Sequence, residues 1–297
     1  MSRRIVKKIG FMGLGRMGTH MANNIHKAGF DLVIHNRSKE KMQAFVEKGV
    51  RAADTPRGAA TDVDVVITCL MDDQSMLDNV MGEDGILAGL KPGGIHIGTA
   101  TISPSCARKL SELHQAHGSD YVSAPIFGRP DAAEAGTLLS YISGNPEAIS
   151  ACENLFNAYT GKHINMGEDP GVVNSIKLAM NFMLVALVEL YAEVYTFAEK
   201  SGIDLEFTEG LIHTVLAHPV MHEYTTRIRI REFEPAAFAL SAGFKDVELM
   251  LQASSHVQAP LPIAGMARDK FLTALANGMA EKDWSAVSEI ARGQAAL

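Results

Sequence analysis

The first half of the chain alternates short apolar runs with amphipathic stretches. Residues 63–70 are almost entirely apolar and β-branched, which is typical of a strand buried on both faces of a sheet. Ser103-Pro104 predicts the start of a helix, and Gly29 predicts the end of one. The pattern predicts strands at 5–11, 31–35, 63–70, 95–98, 121–126 and 138–143, and helices at 16–28, 39–48, 104–117 and from Asn145-Pro146 onward. This alternation predicts a parallel sheet with helices on both faces.

The pattern changes after about residue 165. Segment 167–171, Gly-Glu-Asp-Pro-Gly, is rich in helix and strand breakers. Beyond it the apolar spacing predicts a long helix at 172–200, then helices at 206–217, 235–254, 263–277 and 285–292, without a strand. We therefore expect an α/β fold in which a doubly wound parallel sheet, residues 1–168, is followed by an all-α domain, residues 169–297, that a long helix links to it.

Composition narrows the class of protein. The 297 residues carry a net charge of −7, whereas nucleic-acid binders usually present a basic stripe. The three cysteines, at 69, 106 and 152, form no CxxC pair, so we expect neither a zinc site nor disulfides, and a reducing, cytoplasmic location. The richest apolar run, 182–188, is far shorter than the roughly 18 residues that span a bilayer, so we expect no membrane partner.

A glycine-rich segment follows the first predicted strand and opens the first predicted helix. Gly13, Gly15 and Gly18 form a GxGxxG pattern in that context. Such glycines permit a tight turn, close approach of the backbone to a pyrophosphate and packing of the helix on the strand. We expect a dinucleotide here, the alternative being an ordinary turn without a ligand.

The end of the second predicted strand bears on which dinucleotide binds. An acidic residue there holds the ribose 2′-hydroxyl of NAD, but this chain has Asn36-Arg37-Ser38. Arg37 can pair with a 2′-phosphate, and its two neighbours can donate hydrogen bonds to it. We therefore expect NADP as the cofactor, with NAD possible; the alternative is that Arg37 is a solvated surface charge.

Three polar residues fall on one face of the long predicted helix. Asn174, Lys177 and Asn181 have the spacing i, i+3 and i+7 among Leu, Val and Ala. Reduction of a carbonyl by hydride needs a proton for the new alkoxide, which Lys177 can supply while Asn181 orients the substrate oxygen. The alternative is a snorkelling lysine and an asparagine that packs between helices.

Over almost its whole length the chain resembles the β-hydroxyacid dehydrogenase family. The resemblance rests on residues 9–18 (Ile-Gly-Phe-Met-Gly-Leu-Gly-Arg-Met-Gly), Asn36-Arg37-Ser38, Leu70-Met71, residues 101–104 (Thr-Ile-Ser-Pro), the Lys177 helix and residues 243–246 (Gly-Phe-Lys-Asp). It implies a Rossmann fold and Lys177 as the catalytic residue. It implies substrate binding by Gly128, Asn181 and Lys245, and we expect Ser123 and Arg129, where the loop departs from the family, to bind the substrate as well. It implies cofactor binding by Phe11, Met12, Gly13, Leu14, Gly15, Arg16, Met17, Gly18, Asn36, Arg37, Ser38, Leu70, Met71, Ser75, Thr101 and Lys245.

The chain departs from the family in the loop that grips the substrate carboxylate. Family members carry Ser-Gly-Gly where this chain has Phe127-Gly128-Arg129, and Ala100 replaces a serine before Thr101. Arg129 can bind an anionic group bidentately, which favours a larger acid. Alternatively Arg129 points outward and Phe127 makes an apolar pocket for a carbonyl or imine without an acid group.

These observations define the expected function. We expect an NADP(H)-dependent oxidoreductase that interconverts a small aldehyde or keto acid and its hydroxy acid, as 3-hydroxyisobutyrate dehydrogenase does. The alternatives are a reductase of apolar carbonyls or imines and a non-catalytic NADP-binding sensor or interaction protein. The resemblance also implies a homodimer or homotetramer that buries the long helix between subunits. We expect no metal, because His218 and His222 are separated by Pro219 and lack an obvious third ligand.

Overall fold

The structure, a computed structural model, describes residues 6–216, 219–256, 258 and 260–297. It divides into two compact units, Met1–Lys177 and Leu178–Leu297, so the division falls within the long helix. The described residues of the first unit form nine strands: β1 (Lys8–Met12), β2 (Asp31–His35), β3 (Arg51–Ala52), β4 (Val65–Thr68), β5 (Ile95–Gly98), β6 (Asp120–Ser123), β7 (Ile126–Phe127), β8 (Leu138–Gly144) and β9 (Thr160–Asn165).

Fifteen α-helices are formed by the described residues. They are α1 (Gly18–Lys27), α2 (Gln43–Val46), α3 (Pro56–Ala60), α4 (Asp73–Val80), α5 (Ile86–Gly89), α6 (Pro104–His117), α7 (Pro130–Ala135), α8 (Pro146–Ala151), α9 (Glu153–Tyr159), α10 (Pro170–Lys200), α11 (Leu205–Val215), α12 (Pro219–Ile230), α13 (Leu240–His256), α14 (Pro262–Ala276) and α15 (Ser288–Gln294). Two 3-10 turns, Lys39–Met42 and Trp284–Val287, precede α2 and α15.

The sheet of the first unit confirms the predicted doubly wound architecture. Its first six strands lie in the order β3-β2-β1-β4-β5-β6 and are all parallel, which is the strand order of a Rossmann fold. Successive side chains of a strand enter different cores: Phe11 packs on one face of the sheet and Met12 on the other. Both faces are therefore covered, as the apolar run at 63–70 predicted.

The far side of the sheet corrects the prediction in two ways. β8 is antiparallel to β6 and β7, so the sheet is mixed rather than wholly parallel. The predicted strand 121–126 is interrupted at Ala124-Pro125, yet β6 and β7 keep a single register along one edge of β8. Pro125 has no amide hydrogen to donate to the ladder, which accounts for the break.

Several element boundaries also differ from the prediction. The helix predicted at 39–48 is a 3-10 turn followed by α2, and the helix predicted from 235 begins at Leu240. Strands β3 and β9 and helices α3, α4, α5, α7 and α12 were not predicted. The predicted helix 206–217 corresponds to α11, although its last residue, Ala217, lies outside the described residues.

The described part of the second unit is helical, as expected, and packs around Trp284, Phe271 and Tyr191. Helix α13 crosses this core at Gly243, where a Cβ would approach side-chain carbons of Phe271 and Trp284 to 2.8 and 2.9 Å. Only glycine fits at that crossing without displacing an aromatic ring.

Helix α10 is the single candidate membrane span among the described residues. An 18-residue window within it has a mean hydropathy of 1.7, and 39% of that window is buried. The core helix of a globular protein passes the same test of length and composition. The expectation of no membrane partner rested on unbroken apolar runs, which is a stricter criterion.

Candidate functional site

The glycine segment forms a cradle at the carboxyl end of β1. Gly13 has φ +97°, and a Cβ there would lie 2.2 Å from the carbonyl oxygen of Cys69. A Cβ on Gly18 would lie 1.9 Å from the carbonyl oxygen of Gly13, so α1 can begin this close to the loop only with glycine. At Gly15, in contrast, a Cβ would meet no atom within 4 Å, and Met17 supplies no side-chain cap to α1. This open, uncapped helix start fits the phosphates of a dinucleotide.

Asn36 braces this cradle. Its Oδ1 accepts a hydrogen bond from the amide of Leu14 at 2.8 Å, and its Nδ2 donates to the carbonyl of Ser38 at 2.9 Å. Arg37, the next residue, is exposed and forms no ion pair with another described residue. The guanidinium of Arg37 is therefore an accessible positive charge next to Asn36, which holds the backbone of the cradle.

The loops that follow β4 and β5 are joined at the same edge of the sheet. Ser103 donates its amide and hydroxyl hydrogens to the carboxylate of Asp73, at 2.8 and 2.5 Å. Ser75 closes a capping box with Asp72 at the start of α4, so its hydroxyl serves that turn. Met71 is 57% exposed and Thr101 is half-buried. Leu70, also half-buried, lies beside Met71 in the loop after β4.

The segment after β6 is tied to the first turn of α10. The buried hydroxyl of Ser123 accepts a hydrogen bond from Asn174 Nδ2 at 2.7 Å, and the same nitrogen donates to the carbonyl of Pro170 at 3.1 Å. Asn174 is fully buried, and its Oδ1 has no partner among the described residues. A buried polar atom left in this state is costly, which is typical of a site rather than of a packed core.

Lys177 lies one helical turn after Asn174 in α10. Its side chain contacts the loop at residues 127–129, where the chain departs from the family. Its Nζ stands 4.5 Å from the centroid of the Phe127 ring, which packs edge-on against Tyr141 at 5.3 Å. Gly128 follows with φ +134°, and a Cβ there would lie 2.8 Å from Leu138. Arg129 then occupies the N-cap position of α7, without a capping hydrogen bond from its side chain, and its Nε lies 4.0 Å from Asp131. Phe127 thus occupies the loop beside the predicted catalytic lysine.

In the second unit, Asn181 and Lys245 share one carboxylate. Asp246 is 1% exposed; it accepts a hydrogen bond from Asn181 Nδ2 at 2.5 Å and pairs with Lys245 Nζ at 2.6 Å. Asp246 therefore fixes both predicted substrate-binding side chains, although it was not itself among the predicted site residues. The signal for it was its place beside Lys245 in the 243–246 motif.

A buried series of hydrogen bonds through two histidines, His96 and His114, was also not predicted. His96 Nε2 lies 2.9 Å from Thr68 Oγ1, and its Nδ1 lies 2.9 Å from His114 Nε2. His114 Nδ1 in turn lies 2.9 Å from the hydroxyl of Ser119. Burial lowers the pKa of His114 to about 3 and holds the pKa of His96 well below its usual value. Both rings are therefore neutral at pH 7, each with one donor and one acceptor nitrogen.

The two units match known families in order. Residues 8–167 match the NAD binding domain of 6-phosphogluconate dehydrogenase, and residues 171–291 match the NAD-binding domain of NADP-dependent 3-hydroxyisobutyrate dehydrogenase. Together with the dinucleotide cradle, these matches define an NAD(P)-dependent oxidoreductase. The chain belongs to the β-hydroxyacid dehydrogenase family, as the resemblance indicated.

Relatives of known name agree with this assignment. An uncharacterized oxidoreductase, YfjR, of Bacillus subtilis is 38% identical over 94% of this chain and 98% of its own length. The 3-sulfolactaldehyde reductase of Escherichia coli is 29% identical and covers 97% of both chains. The structure of Mycobacterium tuberculosis 3-hydroxyisobutyrate dehydrogenase with L-serine superposes with a TM-score of 0.86 at 25% identity, over 97% of this chain and 100% of that one.

Proposed function

We propose that the protein is an NADP(H)-dependent reductase that interconverts a small aldehyde or keto acid and its hydroxy acid. The observation that carries this proposal is the position of Lys177. It lies near the start of α10, its amino group is beside the ring of Phe127, and Asn174, which donates to Ser123, is one turn before it. The named activities of relatives, on 3-hydroxyisobutyrate and 3-sulfolactaldehyde, support the same substrate class.

In this proposal the chain's own residues hold the cofactor and move one proton. The glycine cradle takes the pyrophosphate, and Arg37 pairs with the 2′-phosphate. A bound reduced nicotinamide nucleotide supplies the hydride. Lys177 Nζ gives its proton to the substrate oxygen as the carbonyl carbon is reduced, and in the reverse direction the neutral amine accepts that proton from the hydroxyl. Ser123, Gly128, Arg129, Asn181 and Lys245 bind the substrate.

The experiment replaces the proposed proton donor. Lys177→Ala is expected to lower kcat by at least about a hundredfold, because general acid catalysis contributes roughly 10²–10⁴-fold. The dissociation constant for NADPH, measured by fluorescence titration, should stay within about twofold. Lys109→Ala, at an exposed lysine of α6, is the matched control and should leave both quantities unchanged. Full turnover by the Lys177 variant would contradict the role of the lysine.

A second candidate function is supported by one observation. The ring of Phe127 gives the loop an apolar surface where the resemblance implies a serine hydroxyl. Such a surface suits a carbonyl or imine without an acid group. This candidate predicts turnover of apolar aldehydes or cyclic imines that exceeds turnover of semialdehyde acids.

We further propose that the protein is a homo-oligomer assembled through α10. Met180, Met183, Leu190 and Val194 are exposed and, with the half-buried Leu187, recur at alternating spacings of three and four residues. Such a stripe on one helix face is typical of helix pairing between chains.

A further inference from the structure

The ring of Phe127 lies 4.5 Å from the amino group of Lys177, well within the range of a cation–π interaction. We propose that Phe127 is a positioning residue for Lys177: its ring face holds the lysine ammonium in place for proton transfer, and Tyr141 braces the ring from its edge. This inference rests on the proposed function and deepens it, because it assigns a role to the residue by which the loop departs from the family.

The strand register explains why the two rings meet. Phe127 is paired directly with Leu139 of β8, so Tyr141 is its diagonal neighbour on the same face of that strand. The opposite face of β8 carries Leu138 and Ile142, which are fully buried. The half-exposed face therefore holds Phe127 and Tyr141 edge-to-face, with an interplanar angle of 80°. Phe127 cannot turn away without losing that contact.

The lysine side of the contact is fixed as well. Asn174, three residues before Lys177, donates to Ser123 at the end of β6, and Ser123 is three residues before β7 begins. The first turns of α10 are thereby anchored to the strand that continues into Phe127. Gly128 turns the chain away at once, so the ring is the last side chain of the ladder.

This arrangement suits a proton donor. The negative face of the ring attracts the ammonium form of lysine, which is the form that donates in carbonyl reduction, and has little attraction for the neutral amine. A leucine at 127 would keep the apolar bulk and lose the ring face. A tyrosine or tryptophan would keep the face. The role of the ring can therefore be separated from that of its volume.

The test weakens the ring face in steps with little change in its size. Phenylalanine carrying one, two or three fluorines is placed at position 127. The kcat for reduction of an aldehyde acid is then measured with saturating NADPH. We expect log kcat to fall in proportion to the number of fluorines, and Phe127→Leu to lose about threefold to thirtyfold, as cation–π energies imply. Phe127→Trp should retain most of the wild-type kcat. The same fluorine series at Phe45, which lies 5.5 Å from Lys48 Nζ, is the matched control and should leave kcat unchanged.

A second readout needs no turnover. In protein with isotope-labelled lysine, the ring current of Phe127 should shift the ε-methylene signal of Lys177 upfield, and Phe127→Leu should abolish that shift. An upfield shift with a flat fluorine series would overturn the positioning role while the proposed function stands. An absent shift would overturn the inference. Wild-type protein that shows the shift and reduces no carbonyl would overturn the proposed function and support the contact itself.

Discussion

Arg37 is an exposed positive charge next to Asn36, which contacts the glycine cradle, and it offers the simplest test of cofactor choice. We expect Arg37→Asp to move the ratio of kcat/KM for NADPH over NADH toward NADH by about 10- to 100-fold, because a charge-assisted hydrogen bond to the 2′-phosphate contributes roughly 1.5–3 kcal/mol. Lys41→Asp makes the same charge change at an exposed site four residues away and is the control. An unchanged ratio in the Arg37 variant would rule this residue out as the reader of the 2′-phosphate.

At this scale the sequence predicted the local features and missed the long-range ones. Gly13, Gly15 and Gly18 were assigned to cofactor binding because they have GxGxxG spacing and lie between a strand and the start of a helix. The bracing role of Asn36 could not be predicted, since it depends on the distance between two loops that are 22 positions apart in sequence. The edge-to-face contact of Phe127 with Tyr141 depends on the register of an antiparallel pair, which no local pattern specifies.

At the scale of the elements, buried hydrogen bonds connect Thr68 in β4, His96 in β5 and His114 in α6. These two histidines make the stability of the fold depend on pH in the acid range. Folding keeps His96 and His114 neutral, whereas in the unfolded chain each binds a proton below about pH 6.5. Below pH 6.5 the unfolded state therefore takes up protons that the folded state does not. The contribution to stability is complete above that pH and is lost as the pH falls toward about 3.

The measurement is the urea midpoint of unfolding between pH 4 and pH 8. We expect the free energy of unfolding to drop by up to about 1.4 kcal/mol per pH unit for each of the two histidines below pH 6.5. His114→Gln should flatten this dependence, and His256→Gln, at an exposed position, should not. A wild-type profile that is flat from pH 6.5 to 4 would contradict the neutral state of the buried pair.

Two of the elements that were missed, β9 and α12, share a physical cause. Strand β9, Thr-Gly-Lys-His-Ile-Asn, is polar and mostly exposed, so it lacks the alternation that marks a half-buried strand and forms only because β8 offers a free edge. Helix α12 contains two threonines and two isoleucines, which are weak helix formers, and is held by the burial of Tyr224 and Ile228. Tertiary packing determines both elements, and local propensity does not.

For the whole molecule, the stripe on α10 predicts the state of assembly. A double substitution, Met183→Glu with Leu190→Glu, places charges on two exposed apolar positions of the helix. We expect light scattering after gel filtration to give at least twice the 32.0 kDa chain mass for the wild type and a smaller assembly for the variant. Val46→Glu, at an exposed apolar site in the first unit, is the control. A wild type of single-chain mass would refute assembly through α10.

The family and the two-part architecture were readable from the sequence because the glycine loop, the lysine helix and the 243–246 motif occur in order along one chain. The substrate could not be predicted from the sequence, because residues 127–129 depart from the family in the loop that binds the substrate carboxylate. In space this loop brings the Phe127 ring to Lys177, and Arg129 lies two residues further on. Both features bear on the substrate acid group, and only turnover distinguishes their effects.

NADPH oxidation by the wild-type protein against a panel of carbonyls tests the proposed reductase activity and its substrate class together. The panel contains glyoxylate, the semialdehydes of succinate, methylmalonate and tartronate, 3-sulfolactaldehyde, apolar aldehydes of similar size and cyclic imines, with NADH in parallel. We expect turnover of at least one of the aldehyde acids with kcat/KM well above that of any apolar aldehyde or imine, and faster turnover with NADPH than with NADH. Turnover confined to apolar carbonyls or imines, or no turnover by a protein that binds NADPH, would contradict the proposed function.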